Sequence, residues 1–187
     1  MPLKTPICDF GQAAKSFELK STDNETIKLD NIKGKNGTLV MFICNHCPYV
    51  IAVIKDIIED CKNLEGLGIK TVAICSNESI NYPEDSFDKM IKFHKDHNFN
   101  FPYLIDKTQV VAKNYGAVCT PDFFGYNKNL ELQYRGRIRE LKNFKPIKSG
   151  KSDLFKAMKK ISETGKGPEE QIPSIGCGIK WLDSKCI

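Results

Sequence analysis

The sequence predicts an α/β sandwich built on a mixed sheet, and three observations carry that prediction. Strand-period and helix-period segments alternate through the first two thirds of the chain, and one strand-length run is apolar at nearly every position. A β-hairpin followed by a last helix then closes the pattern. The alternation requires parallel strands joined by helical crossovers, whereas the hairpin is antiparallel, so the sheet is mixed.

The elements follow in order. Residues 16–19 and 26–29 alternate apolar and polar around the turn residues Thr22-Asp23-Asn24, which reads as an N-terminal β-hairpin. After the loop Lys33-Gly34-Lys35-Asn36-Gly37, residues 38–43 are apolar at nearly every position, the pattern of a central strand buried on both faces. Val50, Ile54, Ile57, Ile58 and Cys61 then form the stripe of an amphipathic helix that stops at Gly66 and Gly68. Residues 69–75 make a second apolar strand, and 83–98 read as a helix with Phe87, Met90, Ile91 and His94 on one face. A short strand at 101–105 and a helix over 108–115 lead to a hairpin of 122–126 and 130–135 across Asn127-Lys128-Asn129. A final helix spans 152–163. From Gly165 the composition shifts to glycine, proline and polar residues, with Cys177 and Trp181 as the strong anchors. The organisation expected is therefore one domain over 1–164 and an extended tail over 165–187 packed back on it.

Composition excludes several classes of function. The 187 residues are 41% hydrophobic, enough for one core at roughly 150 residues per domain. The longest apolar stretches, 38–44 and 49–54, fall far short of the roughly 18 residues of a membrane span. Met1-Pro2-Leu3-Lys4-Thr5-Pro6 lacks the apolar centre of a signal peptide, so a cytoplasmic location is expected. The net charge of +5 comes from lysines interleaved with acids rather than gathered in a basic arm, which argues against nucleic acid as a partner. Eight cysteines, at 8, 44, 47, 61, 75, 119, 177 and 186, are unusual for this length. Several lie inside apolar segments as small hydrophobes do, so the reading is a reducing compartment with mostly structural thiols and one reactive pair.

That pair is in Cys44-Asn45-His46-Cys47, where a buried strand runs into a helix. Unpaired N–H groups and the positive end of the helix dipole favour an anion there, predicting a stabilised thiolate at Cys44, and His46 adds a cation when protonated. The spacing places both cysteines on one turn, so that Cys47 can attack a mixed disulfide on Cys44 and release the partner. Cys44 is thus read as the nucleophile, Cys47 as the resolving thiol and His46 as the tuning group. A zinc site would need a second pair of ligands, and Cys177 with Cys186 lacks the usual spacing. Two merely buried small residues are the other alternative, against which His46 and the loop position argue.

Taken together, Phe42-Ile43-Cys44-Asn45-His46-Cys47-Pro48-Tyr49-Val50, Tyr82-Pro83-Glu84-Asp85-Ser86, Phe101-Pro102-Tyr103-Leu104, Ala117-Val118-Cys119-Thr120-Pro121-Asp122-Phe123-Phe124 and Gly176-Cys177-Gly178-Ile179-Lys180-Trp181 resemble the peroxiredoxin-like branch of the thioredoxin superfamily. The resemblance runs from about Phe17 to Trp181. It implies a thioredoxin-like three-layer sandwich with an N-terminal β-hairpin extension, within the alkyl hydroperoxide reductase and thiol-specific antioxidant group. It also implies that Thr120-Pro121 is the cis-proline segment facing the cysteine pair, with its backbone open to an extended substrate chain. Thr120, Pro121 and Asn45 are accordingly the substrate-binding candidates.

The departures from that pattern are specific. Peroxiredoxins resemble P-x-x-x-[TS]-x-x-C; placing Cys47 in the last position puts Val40 in the proline slot and Cys44 in the hydroxyl slot, and placing Cys44 there puts Gly37 and Met41 in them. Thioredoxin resembles W-C-G-P-C preceded by a buried acid, and here Asn45-His46 replaces Gly-Pro while Met41 stands where the acid falls. A histidine between the cysteines resembles the dipeptide of strongly oxidising periplasmic thiol oxidants, which predicts a lowered Cys44 pKa and a disulfide that is a better oxidant.

Accessory candidates are Cys119, beside the proline turn or else a core residue, and Arg137. Arg135 and Arg137 flank Gly136, and either guanidinium would support a thiolate or remain an exposed strand-end charge. His94 and His97 read as helix-surface histidines and Cys61 and Cys75 as inert core thiols. Cys177 is either a tail-borne resolving thiol or redundant with Cys47. The expected function is thiol–disulfide exchange, with no cofactor beyond the Cys44–Cys47 disulfide. Its partners would be a thiol or disulfide substrate, protein or small molecule, and a separate reductant; oligomerisation is left open. The alternatives are a thiol peroxidase and a non-catalytic or metal-holding binding module.

Overall fold

In the computed structural model, which describes residues 2–147 and 150–182, the chain opens with a short strand β1 (Pro2–Lys4) before the expected hairpin of β2 (Glu18–Ser21) and β3 (Thr26–Lys28). Strand β4 (Gly37–Phe42) leads to helix α1 (Pro48–Glu65), and β5 (Ile69–Cys75) leads to α2 (Phe87–His97). After β6 (Tyr103–Ile105) and α3 (Val110–Tyr115) come β7 (Cys119–Thr120), β8 (Asp122–Asn127) and β9 (Leu132–Tyr134). The small hairpin β10 (Leu141–Lys142) and β11 (Lys145–Pro146), helix α4 (Asp153–Thr164) and strand β12 (Ile175–Gly178) complete the chain. Residues 183–187 of the tail, Cys186 among them, lie outside the described residues.

The main sheet has seven strands in the order β3-β2-β6-β5-β4-β8-β9. The β4–β5 and β5–β6 pairs are parallel and the others antiparallel, the mixed sheet the periodicity predicts. Strand β4 is central because every one of its residues is buried: Leu39 and Met41 face the α1, α2 and α4 side, and Val40 and Phe42 the α3 side. The two cores on either face of the sheet make three layers.

Three departures from the expected elements shape the site. The helix expected over 83–98 is a 3-10 turn, Pro83–Asp85, separated from α2 by extended Ser86, and the turn carries Asp85 into the interior. Helix α3 begins only at Val110, because Gln109 is left-handed and its side-chain amide is held by the carbonyls of Ser76 and Lys180. The tail carries a strand the sequence did not show: β12 lies between β1 and β7 in a second, three-stranded antiparallel sheet. Its glycines read as loop residues, but Gly176 is there because the backbones touch: a Cβ on it would lie 2.0 Å from the Thr120 carbonyl oxygen.

Candidate active site

The central strand delivers its last residues into the site. Ile43 N–H still bonds to the Ile74 carbonyl, after which the chain leaves the sheet at Cys44 and re-enters regular structure at Pro48, the first residue of α1, with Cys47 as its N-cap. Proline suits that position because its missing N–H would have no helical partner and its φ is already helical. Cys44 and Cys47 are both buried, so exposure does not single out Cys44 as the nucleophile. All seven described cysteines are free thiols.

Thr120 is the hub of the site. Its hydroxyl lies 3.3 Å from Cys44 Sγ, and its carbonyl oxygen lies 3.0 Å from Cys47 Sγ, which donates to it when protonated. The Thr120–Pro121 peptide bond is cis. The edge of Thr120 is not open to an extended substrate, as the sequence reading expected, because β12 already pairs with it: Cys177 lies opposite Thr120 and Gly178 opposite Cys119. Ser174 anchors that strand by donating its hydroxyl to the Pro121 carbonyl at 2.8 Å.

The loop between the cysteines rests on Asp85. One oxygen of this buried carboxylate accepts the Asn45 backbone N–H at 2.8 Å and the other accepts the Asn77 side-chain amide at 2.7 Å. His46 Nδ1 lies 2.8 Å from the second oxygen but off the line of a directed hydrogen bond, so the contact is an ion pair when the ring is protonated. Asn45 is held further by the Tyr103 hydroxyl, which donates to its side-chain oxygen, and by its own donation to the Glu84 carbonyl. The His46 ring stacks on Tyr82, over which Lys180 of the tail places its ammonium. The Cys44 sulfur, a His46 ring nitrogen and an Asp85 oxygen lie within 4.8 Å of one another, a donor set that could hold a metal ion.

The two thiols titrate in opposite directions. Cys44 is pushed well above the ordinary thiol range by its hydrogen-bonding interaction with Cys47, then by burial and the Asp85 charge. Cys47 is lowered to about 5, first by the Cys44 thiol and then, against burial, by the Thr120 hydroxyl and the backbone amides of Cys177 and Val50. The Thr120 carbonyl, like burial, favours the protonated form of Cys47, and the donors outweigh both. The thiolate expected at Cys44 therefore belongs to Cys47. The interaction between the two thiols is the first cause, and position adds to it: Cys47, not Cys44, stands at the N-cap position of the helix, and Cys44 has a carboxylate beside it.

Other candidates fall elsewhere. Cys119 is fully buried, its thiol directed at the Pro121 carbonyl, and burial raises its pKa, so it belongs to the core beside the pair. Arg137 supports no thiolate: its Nε donates to Asp153 at 2.8 Å, and it lines a cavity of about 490 Å³ that Tyr49, Val53, Phe144 and Ile172 also line and that reaches Pro121. Arg135 is no exposed strand end but a buried partner of Asp122, at 2.9 Å. His94 and His97 bond to Thr22 and to the Phe93 carbonyl, and burial pushes up the thiols of Cys61 and Cys75. Asp85, Asn77 and Tyr103 were not read as site features, although Asp85 and Tyr103 each lie within a motif that carried the resemblance; Cys177, read as either a tail-borne resolving thiol or redundant, does approach the pair.

Known proteins identify the family and the fold. The AhpC/TSA family profile matches residues 10–141. An uncharacterised conserved protein from Geobacillus kaustophilus is 36% identical over 98% of each chain, with a TM-score of 0.93. A hypothetical protein from Sinorhizobium meliloti 1021 is 33% identical over 97% of this chain and 98% of its own, at 0.88. A putative thiol:disulfide interchange protein DsbE from Chlorobium tepidum, 17% identical over 68% of this chain and 84% of its own, shares the thioredoxin fold at 0.59. No curated protein matches the chain. Among the described residues, no helix is long and apolar enough to cross a membrane.

Proposed function

Since the chain belongs to the AhpC/TSA family of thioredoxin-fold redoxins, we propose that it is a thiol–disulfide oxidoreductase working through Cys44 and Cys47. The observation that carries this reading is the interaction of two thiols with opposed acidities against one residue, Thr120, beside a cis-proline.

In the oxidised protein a substrate thiolate attacks Cys44 Sγ, next to the partly exposed loop residues Asn45 and His46. The new bond joins substrate sulfur to Cys44, the Cys44–Cys47 bond breaks, and Cys47 departs with the electron pair as the more acidic and therefore better leaving thiol. A second substrate thiol then attacks the mixed disulfide, forming the substrate disulfide and returning Cys44 as a thiol, so two electrons pass from substrate to pair. Stabilising the reduced state as a Cys47 thiolate makes the disulfide the better oxidant. Thr120 and Pro121 position the sulfurs, and the cavity reaching Pro121 is the site proposed for the rest of the substrate. The chemistry requires no cofactor beyond the pair, and a separate thiol or disulfide partner resets it.

A second reading, hydroperoxide reduction, is favoured by one observation: the thiolate is at Cys47, with Cys44 three residues before it in the hydroxyl slot of the peroxiredoxin pattern. The test separates the two. Equilibrating the protein against a glutathione series, mapping alkylated peptides by mass and assaying peroxide consumption on the same sample should give a reversible Cys44–Cys47 disulfide. Its potential should lie above the roughly −270 mV of thioredoxin, with slow peroxide turnover. Fast peroxide turnover with sulfenic acid trapped on Cys47 establishes the peroxidase. A pair that stays reduced at every potential, with stoichiometric zinc, establishes the metal-holding module.

A further inference from the structure

The site contains a third thiol that the exchange reaction above does not use. Cys177 is on β12, directly across from Thr120 in an antiparallel pair, and side chains of a cross-strand pair stand on the same face of the sheet. The Thr120 hydroxyl on that face meets Cys44, and the Thr120 carbonyl meets Cys47. Cys177 and Cys47 are thus brought to one residue from two elements that are 130 positions apart in sequence. The Cys47 side chain is near enough to raise the Cys177 pKa together with burial, and the Cys177 backbone amide helps to lower that of Cys47.

The strand is built to hold this position. Gly176 permits backbone contact with Thr120, Ser174 bonds to Pro121 and, through its own N–H, to Thr5, and β1 closes the far edge from Pro2 to Lys4. Beyond the strand, the Lys180 carbonyl accepts from Glu78 N–H and Gln109, and its N–H donates to Asn77. Asn77 also binds Asp85, so the tail and the Cys44–Cys47 loop share an anchor.

We propose that Cys177 is a third redox-active thiol of this site and the alternative disulfide partner of Cys47. The inference rests on the exchange reading of Cys44 and Cys47. In the oxidised pair the Cys177 thiolate attacks Cys47 Sγ: the Cys47–Cys177 bond forms, the Cys44–Cys47 bond breaks, and Cys44 leaves as a thiolate that takes up the proton Cys177 gave up. No net electrons move. Burial and the Cys47 charge keep Cys177 protonated in the reduced site; disulfide formation at Cys47 removes that charge while Lys180 remains close. The consequence is that the oxidising equivalent is stored between α1 and the tail, with Cys44 free for a further partner. The chain's own strand occupies the edge beside the cis-proline as an internal substrate.

The test is diamide oxidation of the full chain followed by non-reducing peptide mapping, on the wild type and on Cys44→Ser, Cys177→Ser and Cys119→Ser. The expected result is a Cys47–Cys177 linked peptide in the wild type beside the Cys44–Cys47 species, its conversion to the main product in C44S, its loss in C177S and its retention in C119S. Cys47 and Cys177 both remaining alkylatable after oxidation, in the wild type and in C44S, overturns the proposal. A Cys44–Cys47 disulfide that forms with no link to Cys177 leaves the exchange reading standing and removes only this inference. A Cys47–Cys177 link with no Cys44–Cys47 species would instead remove the exchange reading. The wild-type map decides the matter even if a variant fails to fold.

Discussion

Gly176 lies so close to Thr120 that a Cβ on the glycine would sit 2.0 Å from the threonine carbonyl oxygen. That oxygen is the one that accepts from Cys47, so the seating of the tail and the environment of the reactive thiol depend on one contact. Gly176→Ala must push β12 away from β7. The expected cost is about 2–3 kcal/mol of unfolding free energy, the upper range for a single change that breaks backbone packing. Cys47 alkylation should accelerate together with the loss of stability. Urea unfolding and timed alkylation check this, and unchanged stability with unchanged alkylation would show that β12 does not guard the thiol.

Because Cys47 is lowered to about 5 in the folded protein from the ordinary thiol value of 9.0, its charge is linked to stability. A depressed acid stabilises the fold fully above its unfolded pKa and loses that contribution as pH falls through its folded pKa, here between about 9 and about 5. Ultraviolet thiolate absorbance should show one thiolate at neutral pH that disappears with a midpoint near 5. Cys47→Ser should abolish that transition. Cys44→Ala should raise its midpoint, because the Cys44 thiol is the largest cause of the lowering and alanine has no donor to replace it. A transition surviving in C47S would assign the thiolate to another cysteine.

What the sequence showed and what it hid separate along a physical line. Signals written in neighbouring residues were legible: the doubly buried run of β4, the α1 stripe and the Cys44-Asn45-His46-Cys47 junction each depend on local periodicity or spacing. The resemblance supplied Thr120 and Pro121. Features made by contacts between distant segments were not legible. Asp85 bonds to Asn45 across 40 positions, and nothing beside it in sequence distinguishes it from any acid early in a helix. The break at Ser86 that turns it inward resembles an ordinary N-cap. Strand β12 reads as a glycine-rich tail because its glycines answer to the backbone opposite rather than to a turn of their own. The lowered pKa expected at Cys44 falls to Cys47 instead, first through the contact of the two thiols; burial and then the Asp85 charge add to the rise of Cys44, and that carboxylate comes from a remote segment.

Asp85 offers a direct test of that electrostatic role. Asp85→Asn keeps the shape of the side chain and an oxygen for the Asn45 N–H, but removes the charge beside Cys44 and the ion-pair partner of His46. Cys44 should titrate at lower pH in the variant, so that a second thiolate appears earlier in an alkaline titration. The disulfide should become a stronger oxidant, because the reduced state gains more from ionisation. Stability should fall by about 1–3 kcal/mol, the cost of mismatched buried hydrogen bonds. An unchanged alkaline limb would deny Asp85 any influence on the pair.

The last prediction concerns what holds the proline turn in place. Asp122 follows cis-Pro121 and accepts from Arg135 at 2.9 Å and from the Val118 N–H at 3.4 Å, while Arg135 also donates to the Gly116 carbonyl and lies over the Phe124 ring. Both partners are buried, so removing one leaves an uncompensated charge, and Asp122→Ala should cost about 3–5 kcal/mol. Replacing both, as Asp122→Leu with Arg135→Met, should recover most of that loss, since a buried ion pair gives little net stability over an apolar pair of similar volume. A structural role alone would end there. Since Asp122 also braces the segment presenting Thr120 to both cysteines, the double variant should still show a raised Cys47 titration midpoint despite its recovered stability. A Cys47 midpoint unchanged from wild type in a stable double variant would confine Asp122 and Arg135 to the core.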